Sequence, residues 1–176
     1  MTTQEVQEVS KLLRTIEDFP EKGVIFRDIT TVLKDKKGLQ MVIKDFTERY
    51  KDQGIDYVLG ADARGFIFGA AIAYNIGAGF VPARKPGKLP AETVKEEYEL
   101  EYGKNSIEVH KDAIEKGSKV LIVDDLLATG GTAAAMVKLI EDLGAEIHEL
   151  AFMIELEDLK GREVLKGYDV YWQLKY

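Results

Sequence analysis

The chain has 176 residues, with 24 lysines and arginines against 31 aspartates and glutamates, a formal net charge of −7. Its 45% hydrophobic and 31% charged residues are the composition of a folded globular protein, not a disordered one, and its length fits a single domain, 1–176. The lack of cysteine excludes disulfides, thiolate metal sites and a cysteine nucleophile, and the acidic balance argues against general binding to nucleic acid or to anionic membranes.

Residues 1–11 are polar and acidic, unlike the basic start and apolar core of a secretory signal. Val6, Val9, Leu13 and Ile16 recur at helical spacing and predict an amphipathic helix over 3–16. The stretch FPEKGVIFRDIT, 19–30, reads as irregular because Pro20 and Gly23 forbid a long helix. Leu39, Val42, Ile43, Phe46 and Tyr50 mark a second helix, and the apolar run Tyr57-Val58-Leu59, closed by Gly60, reads as a buried strand. Residues 66–83 carry no charge and approach the length of a membrane span. Asn75, Gly77, Gly79 and Pro82 interrupt them, so a helix over 65–75 and a strand near 78–83 are expected, in a cytoplasmic protein with no membrane partner.

Segment 84–104 differs from its surroundings. Pro82, Pro86 and Pro90, three of the four prolines, fall beside or inside it, and charged residues crowd the rest. It reads as a long two-stranded arm, and long excursions of this kind often serve as lids. Residues 119–123, KVLIV, form the clearest buried strand. A helix from 131 to 143, stopped by Gly144, a strand over 146–154, a short helix near 158–166 and a strand near 169–174 complete the pattern. Strands alternating with helices predict an α/β fold with a mainly parallel sheet flanked by helices. His110, His148 and Trp172 sit in no motif and read as packing or surface residues.

The chemistry concentrates in VLIVDDLLATGGT, 120–132. An apolar strand runs into Asp124 and Asp125, followed by a turn of small residues, Ala128-Thr129-Gly130-Gly131-Thr132, that opens a helix. In open α/β sheets ligands bind beyond the carboxyl ends of the strands. A glycine turn before a helix aims several N–H groups one way, and with the helix dipole these make an anion cradle. The aspartates repel a phosphate, so they suit ribose hydroxyls or a Mg²⁺ carried by a polyphosphate. A solvated acidic pair on a tight turn is the plainer alternative. The run is neither a Walker A loop, lacking its lysine, nor a Rossmann fingerprint.

This run resembles the phosphoribosyl diphosphate (PRPP) signature of the type I phosphoribosyltransferases, and its Leu126-Leu127-Ala128 version is similar to that of the members using adenine. FPEKGVIFRDIT, GADARGFIFG (60–69), RKPGKLP (84–90) and YELEYGK (98–104) fit the same family in order along the chain, with Ala63 standing where the family often has serine. The resemblance implies the type I phosphoribosyltransferase fold, with a small N-terminal hood at about 1–35 and a mobile lid arm at about 84–109. It implies transfer of ribose 5-phosphate from PRPP to N9 of adenine, giving AMP and diphosphate in purine salvage, with Mg²⁺ near Asp124 and Asp125, in a homodimer. It places phosphate and ribose on Asp124, Asp125, Ala128, Thr129, Gly130, Gly131 and Thr132. Arg64, Arg84, Lys85, Lys88 and Tyr102 join them, Lys104 being a weaker candidate for local positive charge. It gives adenine recognition to Ile25, Phe26, Arg27 and Leu127, and catalysis to Glu101 and Arg64. It also implies a cis peptide between Asp62 and Ala63. Glu99 would share a strand face with Glu101, and only the resemblance separates them.

Two other readings compete. A transferase for hypoxanthine, guanine or xanthine is disfavoured by Leu126-Leu127-Ala128 and by the hood sequence. A non-catalytic nucleotide sensor that binds nucleic acid would need an added domain or a basic face, and the chain's length and charge argue against it.

Overall fold

In the computed structural model, which describes residues 1–100 and 103–176, the chain forms two units, Met1–Arg49 and Tyr50–Tyr176. The first begins with helix α1 (Thr3–Leu12). Thr2 caps it, accepting from the Glu5 main-chain nitrogen while the Glu5 carboxylate accepts from that of Thr2, a reciprocal box that satisfies two orphan donors of the first turn. The helix predicted over 3–16 stops early. Leu13 is already extended, and β1 (Arg14–Glu17) pairs antiparallel with β2 (Ile25–Asp28), setting Ile16 against Phe26. Thr15 and Ile16 are β-branched and favour a pleated strand, and the pairing overrides the helical spacing.

The stretch expected to be irregular therefore holds β2 and the start of α2 (Thr30–Lys34). Only 18–24 behave as a turn, with the Phe19–Pro20 bond cis, Gly23 at φ +91° and its N–H donating to Asp18 Oδ1 at 2.6 Å. Arg14 Nη2 meets Asp28 Oδ2 at 2.5 Å across the hairpin. Hydrogen bonds from Thr30 and then from Arg14 bring the Asp28 carboxyl down to a pKa of about 2. Helix α3 (Lys36–Tyr50) closes the unit with Val42 and Phe46 buried.

The second unit carries the main sheet. Its strands are β3 (Tyr57–Ala61), β4 (Gly79–Ala83), β7 (Lys119–Leu127), β8 (Glu146–Glu155) and β9 (Val170–Lys175). They lie in the order β4-β3-β7-β8-β9, and every neighbouring pair is parallel. Helix α4 (Arg64–Ile76) connects β3 to β4, and α5 (Gly131–Asp142) connects β7 to β8. Between β8 and β9 the expected helix is split into a 3₁₀ turn at Glu157–Leu159 and a short α6 (Gly161–Val164), because Lys160 takes φ +53°. Strands β5 (Thr93–Leu100) and β6 (Gly103–His110) make the antiparallel arm the charged segment predicted. Among the described residues no helix is long and apolar enough to cross a membrane.

Sheet order positions the site. The chain moves outward from β3 to β4 in one direction, while β7, β8 and β9 extend in the other. Connections with a common hand then put α4 and α5 on opposite faces, and the crevice lies between the carboxyl ends of β3 and β7. The core under it is dense. Leu59, Val120, Ile122, Met136, Leu139 and Phe152 are all 1% exposed or less.

Tyr50 and Glu149 are buried together, the phenol donating to Glu149 Oε2 at 2.6 Å. Tyr50→Phe keeps the ring and leaves the buried carboxylate one donor short. The substitution is expected to cost about 1–3 kcal/mol, read as a lower urea midpoint with an unchanged slope; an unaltered midpoint would show that another donor replaces the phenol.

Candidate active site

Strand β7 runs further than its apolar core predicts. β3 pairs with it only as far as Val123, whereas β8 stays with it to Leu127. Asp124 and Asp125 are therefore still in the strand, at a point where one neighbour has ended. The space left by β3 is taken by the 62–64 loop and the start of α4. The Asp62–Ala63 peptide is cis, as the family resemblance implied.

At the start of α4, Arg64 Nε reaches Asp125 Oδ2 at 2.8 Å. Asp125 is 4% exposed. The Asp125 main-chain nitrogen donates to Asp124 Oδ1 at 2.8 Å. Burial, and then the charge of Asp125, push the Asp124 carboxyl well above the usual carboxylate range; burial also raises Asp125, with Arg64 opposing it. Gly65 permits this closeness, since a Cβ there would meet Val123 O at 2.9 Å and Asp124 Oδ1 at 3.0 Å.

Arg84 stabilises the same loop from the other side. Its Nε donates to Asp62 Oδ2 at 2.9 Å and its Nη1 to the Lys88 carbonyl at 3.3 Å. Its main chain bridges to Glu108 in both directions. The buried Glu108 carboxylate accepts from the Gly87 nitrogen and from Thr93 Oγ1. Lys85 lines a cleft of about 270 Å³ with residues of the 61–64 segment, Tyr98, Ser106, Asp124, Asp125 and Thr132. Lys88 is exposed and is not among the lining residues.

A second, smaller concavity adjoins the first, sharing Asp124 and Thr132 with it. Its wall is the run Leu126, Leu127, Ala128, Thr129, Gly130, Gly131, Thr132 and Ala133, with Phe152. Gly130 has φ +86°, and neither α5 nor α4 carries a side-chain cap at its N-terminus. Their N-cap residues, Ala63 and Gly130, offer no side-chain acceptor such as Thr2 gives α1, and helix N-termini of this kind attract anions.

The remaining expected residues are placed as follows. Leu127, expected against the base, is 1% exposed, and its Cγ and Cδ1 lie next to Gly161; Leu126 is the half-buried member of the pair. Ile25, Phe26 and Arg27 lie on β2 of the first unit. Ile25 is exposed, Phe26 packs edge-on against Phe19 at 5.2 Å, and Arg27 Nη1 donates to Thr15 Oγ1 at 2.6 Å. Glu101 and Tyr102 lie outside the described residues, as do the side chains of Glu99 and Lys104. Among the described residues no group of three or more His, Cys, Asp or Glu could hold a metal.

Sequence reasoning missed two contributors. Tyr98 reaches the cleft from the arm, although YELEYGK contains it. Gly161 touches the glycine turn with its backbone. A Cβ on Gly161 would stand 2.3 Å from Ala128 O, and one on Gly130 would stand 2.6 Å from Gly161 O. DLKGREV gives no local sign of that approach.

Residues 29–173 match the family model of the phosphoribosyl transferase domain. The chain is 59% identical over 158 residues to an adenine phosphoribosyltransferase of Clostridium perfringens, covering 90% of this chain and 92% of the relative. A crystal structure of adenine phosphoribosyltransferase from Thermoanaerobacter pseudethanolicus superposes with a TM-score of 0.94 at 50% identity, covering 97% of this chain and 99% of that one. The Saccharomyces cerevisiae enzyme, solved with D-2,5-dideoxy-2,5-imino-altritol 1,6-bisphosphate and adenine, superposes at 0.92 with 41% identity over 97% of this chain and 98% of its own.

Asp124→Asn tests the electrostatics directly. A carboxyl whose folded pKa is raised adds stability that is complete below its unfolded value and is lost as pH rises through the folded one. The asparagine variant should thus melt higher than the parent at neutral pH. The gain should vanish as pH falls below the ordinary aspartate range, while PRPP binding weakens at pH 7. Equal melting temperatures at every pH, in scans without ligand, would show that the carboxyl is not strained by burial.

Proposed function

The chain belongs to the adenine phosphoribosyltransferase family, and we propose the following assignment of its residues to that reaction. The enzyme transfers ribose 5-phosphate from PRPP to N9 of adenine, giving AMP and diphosphate. The observation that carries the assignment is the convergence of two helix N-termini without side-chain caps on the paired aspartates at the switch point of the sheet.

The 5-phosphate sits on the Ala128–Thr132 turn, where the N–H groups of Gly130, Gly131 and Thr132 and the hydroxyls of Thr129 and Thr132 donate. The ribose hydroxyls donate to Asp124 and Asp125. The diphosphate lies on the 62–64 loop and the first turn of α4, with Arg64 and Lys85 as cations. Arg84 holds that loop through Asp62, so its role is to shape the diphosphate site; Lys88 adds to the field from the exposed turn. The positive charge of an acidic protein is thus placed locally, where the polyanion binds.

Mg²⁺ fits this donor set as a guest of the diphosphate. Two carboxylates, one already paired with Arg64, do not make a cage, and Mg²⁺ is commonly held by one or two carboxylates with substrate phosphates. When bound, it neutralises the leaving diphosphate. In the reaction the C1′–O bond to diphosphate breaks, N9 forms the new bond to C1′, and the N9 proton must leave. Glu101 is the proposed base for that proton, with Tyr102 beside it on the lid. Arg64 stabilises the charge on the departing diphosphate. Closing the arm excludes the water that would otherwise capture the oxocarbenium-like carbon.

Ile25, Phe26 and Arg27 keep the proposed base-reading role, with main-chain groups matched to the adenine edge. In the second unit Leu126 is the more exposed apolar surface beside the carboxylates, and Leu127 supports it from the core. A homodimer in the cytoplasm completes the proposal.

With PRPP and Mg²⁺, the chain offered adenine, hypoxanthine, guanine, xanthine and uracil separately is expected to form AMP and diphosphate with adenine and no nucleotide at comparable rate with the others. Equal turnover of hypoxanthine would overturn the base assignment. Glu101→Gln should lower kcat by about 10²–10⁴-fold with PRPP affinity nearly intact; loss of both in parallel would remove Glu101 from the proton-transfer role.

A further inference from the structure

The arm is held against α5 by two side-chain ties. Lys138 Nζ meets Glu96 Oε1 at 2.5 Å, and Thr132 Oγ1 hydrogen-bonds with the Tyr98 hydroxyl at 3.2 Å. As β5 advances from Glu96 to Tyr98, its partners on α5 step back from Lys138 to Thr132, so the strand runs down the helix towards its N-terminus. Val94 and Tyr98 also pack on the core cluster that contains Met136 and Leu139. The first tie joins exposed or partly exposed charged side chains, where ion pairs contribute little. The second joins the arm to the glycine turn itself, since Thr132 is the second residue of α5. Tyr98 lines the cleft together with Arg64, Lys85, Asp124 and Asp125.

We propose that Tyr98 is a positioning residue for the phosphate turn: its hydroxyl orients that of Thr132 and couples docking of the arm to occupation of the turn. The proposal rests on the reading that the 128–132 turn holds the 5-phosphate. A hydroxyl pair can bond in either direction, because each oxygen donates once and accepts. The two hydroxyl oxygens stand 3.2 Å apart. A phosphate group only accepts, so on binding it takes the Thr132 proton as its hydrogen bond. Tyr98 then donates to the Thr132 oxygen. The result is a chain from Tyr98 through Thr132 to phosphate. Each link is polarised by the anion at its end, and hydrogen bonds to charged groups are the strong ones. The same polarisation tightens the tie between β5 and α5. By linkage, whatever the phosphate adds to arm docking, arm docking adds to phosphate affinity. No other residue type serves as well. Phenylalanine fills the same volume without the donor, and a shorter hydroxyl side chain would not span from β5 to the helix.

Tyr98→Phe preserves the ring and its packing, so the folded chain should persist, with its melting temperature as the check. Affinity for AMP and for PRPP, measured by titration calorimetry, should fall about 2–10-fold, the size expected for one lost hydrogen bond between neutral groups. Affinity for diphosphate alone should fall less than affinity for AMP. In turnover KM for PRPP should rise, with any loss of kcat no larger than that rise, because the phosphate is bound alike in ground and transition states. Thr132→Val should weaken AMP at least as much, and the double variant should be no weaker than Thr132→Val alone, because the two hydroxyls act as one chain. Full additivity of the two losses, unchanged AMP affinity in Tyr98→Phe, or a defect in kcat alone would each overturn the coupling. If Thr132→Val binds AMP as tightly as the parent, the phosphate is not on this turn, and both the placement and the coupling fall.

Discussion

Two adjacent carboxylates at the inner end of a buried strand are the constraint around which the second unit is arranged. Withdrawing a carboxylate from water is unfavourable unless it is paired or hydrogen-bonded, and two side by side repel as well. The fold meets this in three ways. Arg64 faces Asp125 at 2.8 Å, the Asp125 nitrogen faces Asp124, and the positive ends of α4 and α5 open on the same crevice. The compensation is incomplete, which is why both carboxyls titrate above their usual range. On the proposed reading, the ribose hydroxyls and the cation that arrive with the substrate complete it.

Holding so many groups together requires backbones to come closer than side chains allow. Gly65 lets the first turn of α4 rest on the Val123 carbonyl and on Asp124, and Gly161 lets the β8–β9 connection press on Ala128. These approaches set how near the starts of α4 and α5 come to the carboxylates. Neither glycine needs to touch substrate to matter. Each fixes a loop whose main-chain donors act only when correctly aimed, and a methyl group at either would displace that loop.

The arm is built on a different balance. Its root is firm: Glu108 joins main chain and carboxylate to Arg84, Gly87 and Thr93, and Val109 is fully buried. Further out the ties become single polar contacts to α5. Such a gradient suits a lid, which must keep its register at the base while its outer part answers to ligand. The contact from Tyr98 goes to Thr132 on the glycine turn, which is what the proposed coupling between arm and turn uses.

Much of this was legible in the residues. Apolar runs bounded by glycine placed β3 and α5 close to their observed bounds and found the start of β7 but not its last four residues, and VLIVDDLLATGGT with GADARGFIFG singled out the two glycine-containing loops and the aspartates that share the crevice. The misreadings were cases where tertiary partners outweighed local pattern. Residues 14–17 follow a helical spacing yet pair with 25–28, and Leu127 looks available from the sequence yet is packed against Gly161. Tyr98 and Gly161 could not be singled out because their importance lies in which distant backbone or hydroxyl they meet. The sequence by itself determined the chemistry available: carboxylates, small-residue turns, local cations and the family they identify. Tertiary structure alone decided that β3 ends before β7 does, so that two helix N-termini, two carboxylates and an arm tyrosine share one crevice. Distance and burial between residues far apart in the chain are set by packing, and no local pattern encodes them.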